Sequence, residues 1–202
     1  MGQRGVFLDR DGTINEEVEY LSNVDQLKLI DGATEAIRLL NNAGYKVVVI
    51  TNQSGIARGY ITEAQVKAIH TELEKMLQKE NAHIDGIYYC PHHPEAEVDA
   101  YRVDCDCRKP KPGMLMQAAN DLGIDLKNSF IVGDKISDLG AGDAAGCRKI
   151  LVRTGYGKEM EKELRNVSFQ ADHITDNVLD AVKWIISQAK NQERDSDATS
   201  IA

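Results

Sequence analysis

The feature that most constrains this chain is an alternation. Short apolar runs of β type recur, each parted from the next by a longer helical pattern. The runs are Val6-Phe7-Leu8, the segment from Tyr45 to Thr51, Gly86-Ile87-Tyr88-Tyr89, Phe130-Ile131-Val132 and Lys149-Ile150-Leu151-Val152. Runs with so little polar interruption are expected when both faces of a sheet are covered. Thr34 to Ala43 places Ala36, Ile37, Leu39 and Leu40 on one side, with Gly44 as a stop. A second helix opens at Thr62 and carries Val66, Ile69, Leu73, Met76 and Leu77 at helical spacing. Gly113–Leu122, Ser137–Ala145 and Asn177–Ala189 are three more. Strands alternating with helices predict an α/β fold of three layers, α/β/α, around a central parallel sheet with right-handed crossovers. Ligands of such sheets sit at the carboxyl ends of the strands.

The length of 202 residues suits one domain, expected over 1–190, with no internal repeat. Residues 14–31 read as a long irregular excursion that forms a flap, and residues 91–108 as a second insertion. Residues 191–202 read as a polar, disordered tail. A formal net charge of −8 argues against a nucleic-acid partner. It leaves phosphorylated substrates open, because local basic groups and a metal can hold phosphate on an acidic protein. No apolar run reaches the length of a membrane span, and the N-terminus lacks a secretory pattern, so a cytoplasmic monomer is expected. In a reducing compartment, the clustered Cys90, Cys105 and Cys107 favour metal binding over disulfides.

The ends of the apolar runs carry the chemistry. Asp9 and Asp11 follow the first. A carboxylate there can ligate magnesium or attack phosphorus, and an acid two residues on can protonate a leaving oxygen. Asp-Gly is also a common turn, so the pair alone decides nothing. Thr51, Asn52, Gln53 and Ser54 follow the second run and suit a phosphoryl cradle. Arg108 and Lys109 sit among prolines before Gly113; the lysine suits a phosphate under attack and the arginine a second phosphate. Asp134 ends the fourth run and offers another metal carboxylate, with Asp138 beyond it, able to bond Lys109 or steady the metal's waters. Each cluster has a bland reading as a loop. Agreement among four of them points to phosphoryl transfer.

DRDGT, TNQSG, RKPKPG and GDKISD resemble the four motifs of the haloacid dehalogenase (HAD) phosphatase superfamily. FLDRDGTIN, TNQSGIARG, DGIYYCPHHP, CDCRKPKPGM and VGDK resemble one branch more closely, the heptose-1,7-bisphosphate 7-phosphatases. The resemblance runs from about residue 5 to residue 157. It implies a magnesium-dependent phosphatase with an aspartyl-phosphate intermediate, acting on the C7 phosphate of a heptose bisphosphate in nucleotide-activated heptose biosynthesis. It assigns Asp9 as nucleophile and Asp11 as acid/base. It implies magnesium on Asp9, Asp134 and the Asp11 carbonyl, and Thr51 and Lys109 on the phosphoryl group. Arg108 would contact substrate, with Lys135 and the flap residues Glu17, Val18, Glu19 and Tyr20 nearby.

Cys90, His92, Cys105 and Cys107 compose a Cys3His set that fits a closed, structural zinc site. His93 is an alternative imidazole; the branch pattern selects His92. Cys147 stands apart and reads as a small packing residue. Two rival functions remain. One is a histidinol-phosphate phosphatase, disfavoured by the length of the segment 93–104. The other is a non-catalytic phospho-ligand sensor, disfavoured by the full set Asp9, Asp11, Lys109 and Asp134.

Overall fold

The computed structural model describes the backbone of residues 2–199 and the side chains through residue 189. Six parallel strands form one sheet in the order β3-β2-β1-β4-β5-β6. They are β1 (Gly5–Leu8), β2 (Lys46–Asn52), β3 (Gly86–Cys90), β4 (Phe130–Gly133), β5 (Arg148–Val152) and β6 (His173–Thr175). The helices are α1 (Ala33–Asn42), α2 (Ser54–Ala57), α3 (Glu63–Gln78), α4 (Gly113–Leu122), α5 (Ile136–Ala145), α6 (Gly157–Glu163) and α7 (Val178–Thr199).

Successive strand residues point to opposite faces, and the core divides accordingly. Val6, Leu8, Val47, Val49 and Val132 join one buried cluster with residues of α1, α3 and α7. Phe7, Val48, Ile50 and Ile131 join another with residues of α4 and α5. The three-layer arrangement follows, and with it the near-continuous apolar character of the strands. Cys147 is buried in the second cluster, as its packing role predicts.

Local signals set the helix ends. Thr62 accepts from the Gln65 N–H while the Gln65 side chain accepts from the Thr62 N–H, a reciprocal cap that starts α3. Gly44, at φ +76°, takes the left-handed turn after α1.

Three differences from the sequence reading stand out. The strand β6 and the short helices α2 and α6 were not foreseen; β6 spans only three residues, too few to show a pattern. The excursion over 14–31, read as an irregular flap, is also anchored in the core. Ile14, Leu21 and Leu27 are buried in the core, and Asn15 bridges to Leu29. Finally, α7 continues through the segment read as a disordered tail as far as Thr199. That stretch contains neither glycine nor proline, so nothing local stops an established helix from propagating. Residues 200–202 of the expected tail lie outside the described residues. Among the described residues, no helix is long and apolar enough to cross a membrane.

The strand order reverses direction around β1. The chain moves outward through β2 and β3, then returns to β1's other side for β4, β5 and β6. Connections leave in opposite directions at that point and open a crevice above the ends of β1 and β4.

Close helix–sheet contact depends on Gly142 in α5, where an added methyl would strike Ile131 Cγ2 on β4 and crowd Lys149 Cγ at 3.2 Å. Alanine would gain about 1 kcal/mol in helix propensity. Overpacking against a central strand costs about 1–3 kcal/mol. Gly142→Ala is therefore expected to be destabilising by on the order of 1 kcal/mol, read as a lower urea midpoint at unchanged slope. A raised midpoint would show that α5 can move off β4 freely.

Candidate active site

Asp9 is the first residue past β1, and its N–H donates to the Val132 carbonyl of β4 at 3.0 Å. The sheet thereby aims its side chain into the crevice. Lys109 arrives from the segment before α4 and is almost fully buried. Its Nζ donates to Asp9 Oδ1 at 2.8 Å and to the Ile50 carbonyl at 2.8 Å, and lies 2.6 Å from Asp138 Oδ1. Burial alone would depress this ammonium's pKa, but the Asp138 and Asp9 carboxylates raise it, so it stays charged. Asn52 at the end of β2 fixes the lysine's backbone: its amide donates to the Lys109 carbonyl and accepts from the Lys109 N–H, each at 3.1 Å.

Asp134 follows β4 and is fully buried. Its Oδ2 accepts from the Tyr156 N–H at 2.8 Å, while Oδ1 is buried with no hydrogen-bond partner. Burial, and next the charge of Asp9, push its pKa up to about 8. Gly12 and Gly155, at φ +83° and +53°, let two loops close over this carboxylate; a methyl on either would strike it. Carboxylate oxygens of Asp9, Asp134 and Asp138 all lie within 4.8 Å of one another. An orphaned buried oxygen within an all-oxygen acidic set fits a hard divalent cation such as magnesium.

Asp11 lies one turn further on. Arg10, fully buried between the two acids, grips it with Nε at 3.1 Å and with Nη2 at 2.9 and 2.8 Å. Asn15 Nδ2 and Gln53 Nε2 add donors at 3.0 Å each. Burial would raise the Asp11 pKa, but Arg10 and these amides bring it below the usual carboxylate value. Gln53 Nε2 also donates to Thr51 Oγ1 at 2.8 Å, which joins the cradle to the acid.

These groups border a cavity of about 370 Å³. Its walls include Asp9, Asp11, Thr51, Asn52, Gln53, Ser54, Arg108, Lys109 and Lys135. The flap residues Glu17, Val18, Glu19 and Tyr20 cover one side. Lys135 Nζ pairs with Glu17 Oε2 at 2.8 Å and lies 3.6 Å from Asp134 Oδ1 and 3.9 Å from Asp9 Oδ2. Those three acids raise its pKa against the effect of burial. The expected site residues therefore gather on one crevice, apart from the cysteine set.

The cysteine set forms a cluster of its own. The Sγ atoms of Cys90, Cys105 and Cys107 are 3.1–3.4 Å apart, with His92 Nδ1 3.6 Å from Cys107 Sγ and 3.9 Å from Cys90 Sγ. His93 is outside it; its Nδ1 accepts from the Glu95 N–H at 3.1 Å. Burial would raise the Cys105 thiol, but donation from Cys107, Cys90 and His92 brings it down to about 7. Three sulfurs and one imidazole nitrogen fit a tetrahedral zinc ion. Arg108, one residue past Cys107, donates from Nη1 to the His92 carbonyl at 3.1 Å.

Sequence reasoning missed Tyr156 and Ser137, which line the cavity, and Arg10 and His70 behind it. Tyr156 follows β5, so the rule that ligand groups sit past strand ends would have found it. Arg10 was visible only as a charge inside an apolar-to-acidic turn. His70 had no local signal, because its partner is 60 residues away.

A sequence profile described as haloacid dehalogenase-like hydrolase matches residues 6–85, and one described as HAD-hydrolase-like matches 106–181. The D-glycero-beta-D-manno-heptose-1,7-bisphosphate 7-phosphatase of Salmonella typhi is 44% identical over 190 residues, 94% of this chain and 96% of that protein. That of Escherichia coli K12 is 45% identical over 186 residues, 92% of this chain and 95% of that protein. The crystal structure of the D,D-heptose 1,7-bisphosphate phosphatase from B. bronchiseptica, complexed with magnesium and phosphate, superimposes with a TM-score of 0.82 at 32% identity. It covers 92% of this chain and 99% of that one. Fold, crevice and near full-length identity agree: the chain belongs to the heptose-1,7-bisphosphate 7-phosphatase family of haloacid dehalogenase-like hydrolases.

Proposed function

We propose that the protein is a magnesium-dependent phosphatase that removes the C7 phosphate of D-glycero-β-D-manno-heptose 1,7-bisphosphate in nucleotide-activated heptose biosynthesis. The observation that carries this reading is the buried Asp9, held by Lys109 at 2.8 Å beside Asp134 and Asp138. The β anomer and the sugar are supported by the relatives' names, at 44–45% identity over almost the whole chain. Three free thiols in one cluster support a reducing, cytoplasmic setting.

In the proposed cycle, an Asp9 carboxylate oxygen attacks phosphorus as the bond from phosphorus to the C7 oxygen breaks. Asp11, which must first take up a proton from solvent against the pull of Arg10, gives it to the departing oxygen, and the phosphoryl group rests on Asp9. Asp11, now a carboxylate, takes a proton from water, whose oxygen attacks phosphorus and restores Asp9. Lys109 and the Thr51–Ser54 segment hold the equatorial oxygens as charge develops. Asp9 and Asp134 would hold magnesium by carboxylate, with Asp11 offering its carbonyl. Bound there, the ion would supply positive charge to the phosphoryl oxygens. Arg108 and Lys135, with flap residues 17–20, would grip the remainder of the bisphosphate. Zinc on Cys90, His92, Cys105 and Cys107 would be structural, fixing the loop that presents Arg108.

Asp9→Asn should lower turnover by about a thousandfold or more while leaving the circular dichroism spectrum and zinc content unchanged. Normal turnover would sink the aspartyl-phosphate route. On substrate, kcat/KM for the β heptose bisphosphate should exceed that for histidinol phosphate and for fructose 1,6-bisphosphate by about 100-fold. Preference for histidinol phosphate would overturn the sugar assignment, and equilibrium binding without turnover in the presence of magnesium would favour the sensor. Removal of zinc by a chelator under reducing conditions should raise KM for the bisphosphate by about tenfold, with a smaller effect on kcat. An unchanged KM in protein shown to be zinc-free would separate the cluster from substrate binding.

A further inference from the structure

His70 lies on the inner face of α3, 7% exposed, and has no part in the chemistry assigned to the site. Its Nε2 is 3.0 Å from Arg10 Nη1. A guanidinium has donors only, so Nε2 is the acceptor and the ring proton sits on Nδ1. Burial, and next the charge of Arg10, keep the imidazole neutral, with its pKa pushed down to about 3. The opposite edge of the same guanidinium, Nε and Nη2, holds both oxygens of Asp11. Because the group is planar, an acceptor fixed at Nη1 fixes the plane in which the other edge points. Arg10 is fully buried, out of reach of bulk solvent, so loss of the imidazole leaves the Nη1 donor without its acceptor. His70 is itself held: its ring meets Tyr89 edge-on at 5.7 Å, and the Tyr89 hydroxyl donates to Glu63 Oε2 at 2.8 Å.

We propose that His70 is a positioning residue for the acid/base: by accepting from Arg10 it orients the guanidinium fork that sets where the Asp11 carboxylate stands. This rests on the acid/base role of Asp11. A group that only positions an acid matters most when the leaving oxygen needs a proton. An alkyl alcohol needs one; p-nitrophenolate departs without it.

The test compares kcat/KM, which reports the steps through alcohol departure, on heptose bisphosphate and on p-nitrophenyl phosphate. His70→Gln keeps an acceptor at the reach of Nε2. His70→Asn is one methylene too short, and His70→Leu removes the acceptor. The Asn and Leu variants should lose about tenfold more on the sugar than on the aryl substrate, and Gln should restore most of that loss. In an Asp11→Asn background, His70→Asn should add little further loss on the sugar alone, so a misfolded Leu variant does not decide the matter. Equal losses on both substrates, or a full His70→Asn effect on top of Asp11→Asn, would overturn the proposal in favour of a packing role. Asp11→Asn on its own separates the two readings. If it loses aryl and alkyl hydrolysis equally, the acid/base assignment fails; if it is selective and His70→Asn is not, only the role of His70 fails.

Discussion

The site depends on one buried ammonium. Lys109 donates to Asp9 and the Ile50 carbonyl and pairs with Asp138 at 2.6 Å, and these belong to the ends of β1, β2 and α5. Taking a charge out of water costs several kcal/mol, which only near-ideal partners offset. Here two carboxylates and a carbonyl surround the ammonium, and the lysine backbone is clamped by Asn52 as well. Four segments far apart in the chain are thereby brought into register at a single point. The sheet supplies the directions, and the lysine makes those directions converge.

The same arithmetic leaves a deficit. Three carboxylates, Asp9, Asp134 and Asp138, meet at the crevice, faced by the ammonium groups of Lys109 and Lys135. Lys135 also answers to Glu17, so the local balance stays negative. The strain shows at Asp134, whose buried Oδ1 has no hydrogen-bond partner, and burial together with the charge of Asp9 raises its pKa. A divalent cation held by these carboxylates would remove the deficit and make the crevice attractive to a phosphate dianion. The overall charge of −8 is thus no obstacle to an anionic substrate, because screening confines its influence to about a Debye length while a bound metal would act at contact distance.

What could be read from sequence was whatever is local. The β-branched run of β2, the Thr62 cap and the polar residues just past each strand carry their own signals, and β1 to β5 with most of the crevice followed from them. What could not be read depends on distant partners or on very short elements. The three residues of β6 have no period to display. Ile14, Leu21 and Leu27 looked like parts of an irregular loop, yet each enters the core, and residues 17–21 between these anchors border the cavity. Arg10 sits between two acids and reads as a surface charge. Its full burial is possible because Asp11 and His70 satisfy opposite edges of its guanidinium, and His70 comes from another layer of the fold.

The insertion over residues 91–108 poses the sharpest physical problem. It contains one 3₁₀ turn, Asp99–Tyr101, and Ala96 is its one fully buried apolar residue outside the cysteine pairs. Burial of apolar surface is therefore too small to order it. Three other ties do so. Cys90 stands on the rigid end of β3, and Cys105 and Cys107 reach it from the far side of the loop. Tyr101 donates to Glu63 Oε1 at 2.9 Å, the same carboxylate that receives Tyr89 from β3. The His92 carbonyl accepts from Arg108. Each tie links the loop to β3, to α3 or to the residue that opens the lysine segment. A metal ion on the sulfurs would make the first of them strong, and its strength would be transmitted with no flexible spacer: Arg108 is bonded directly to Cys107, and Lys109 follows. With the ion bound, the placement of the buried ammonium would be inherited from a loop whose apolar burial is too small to order it.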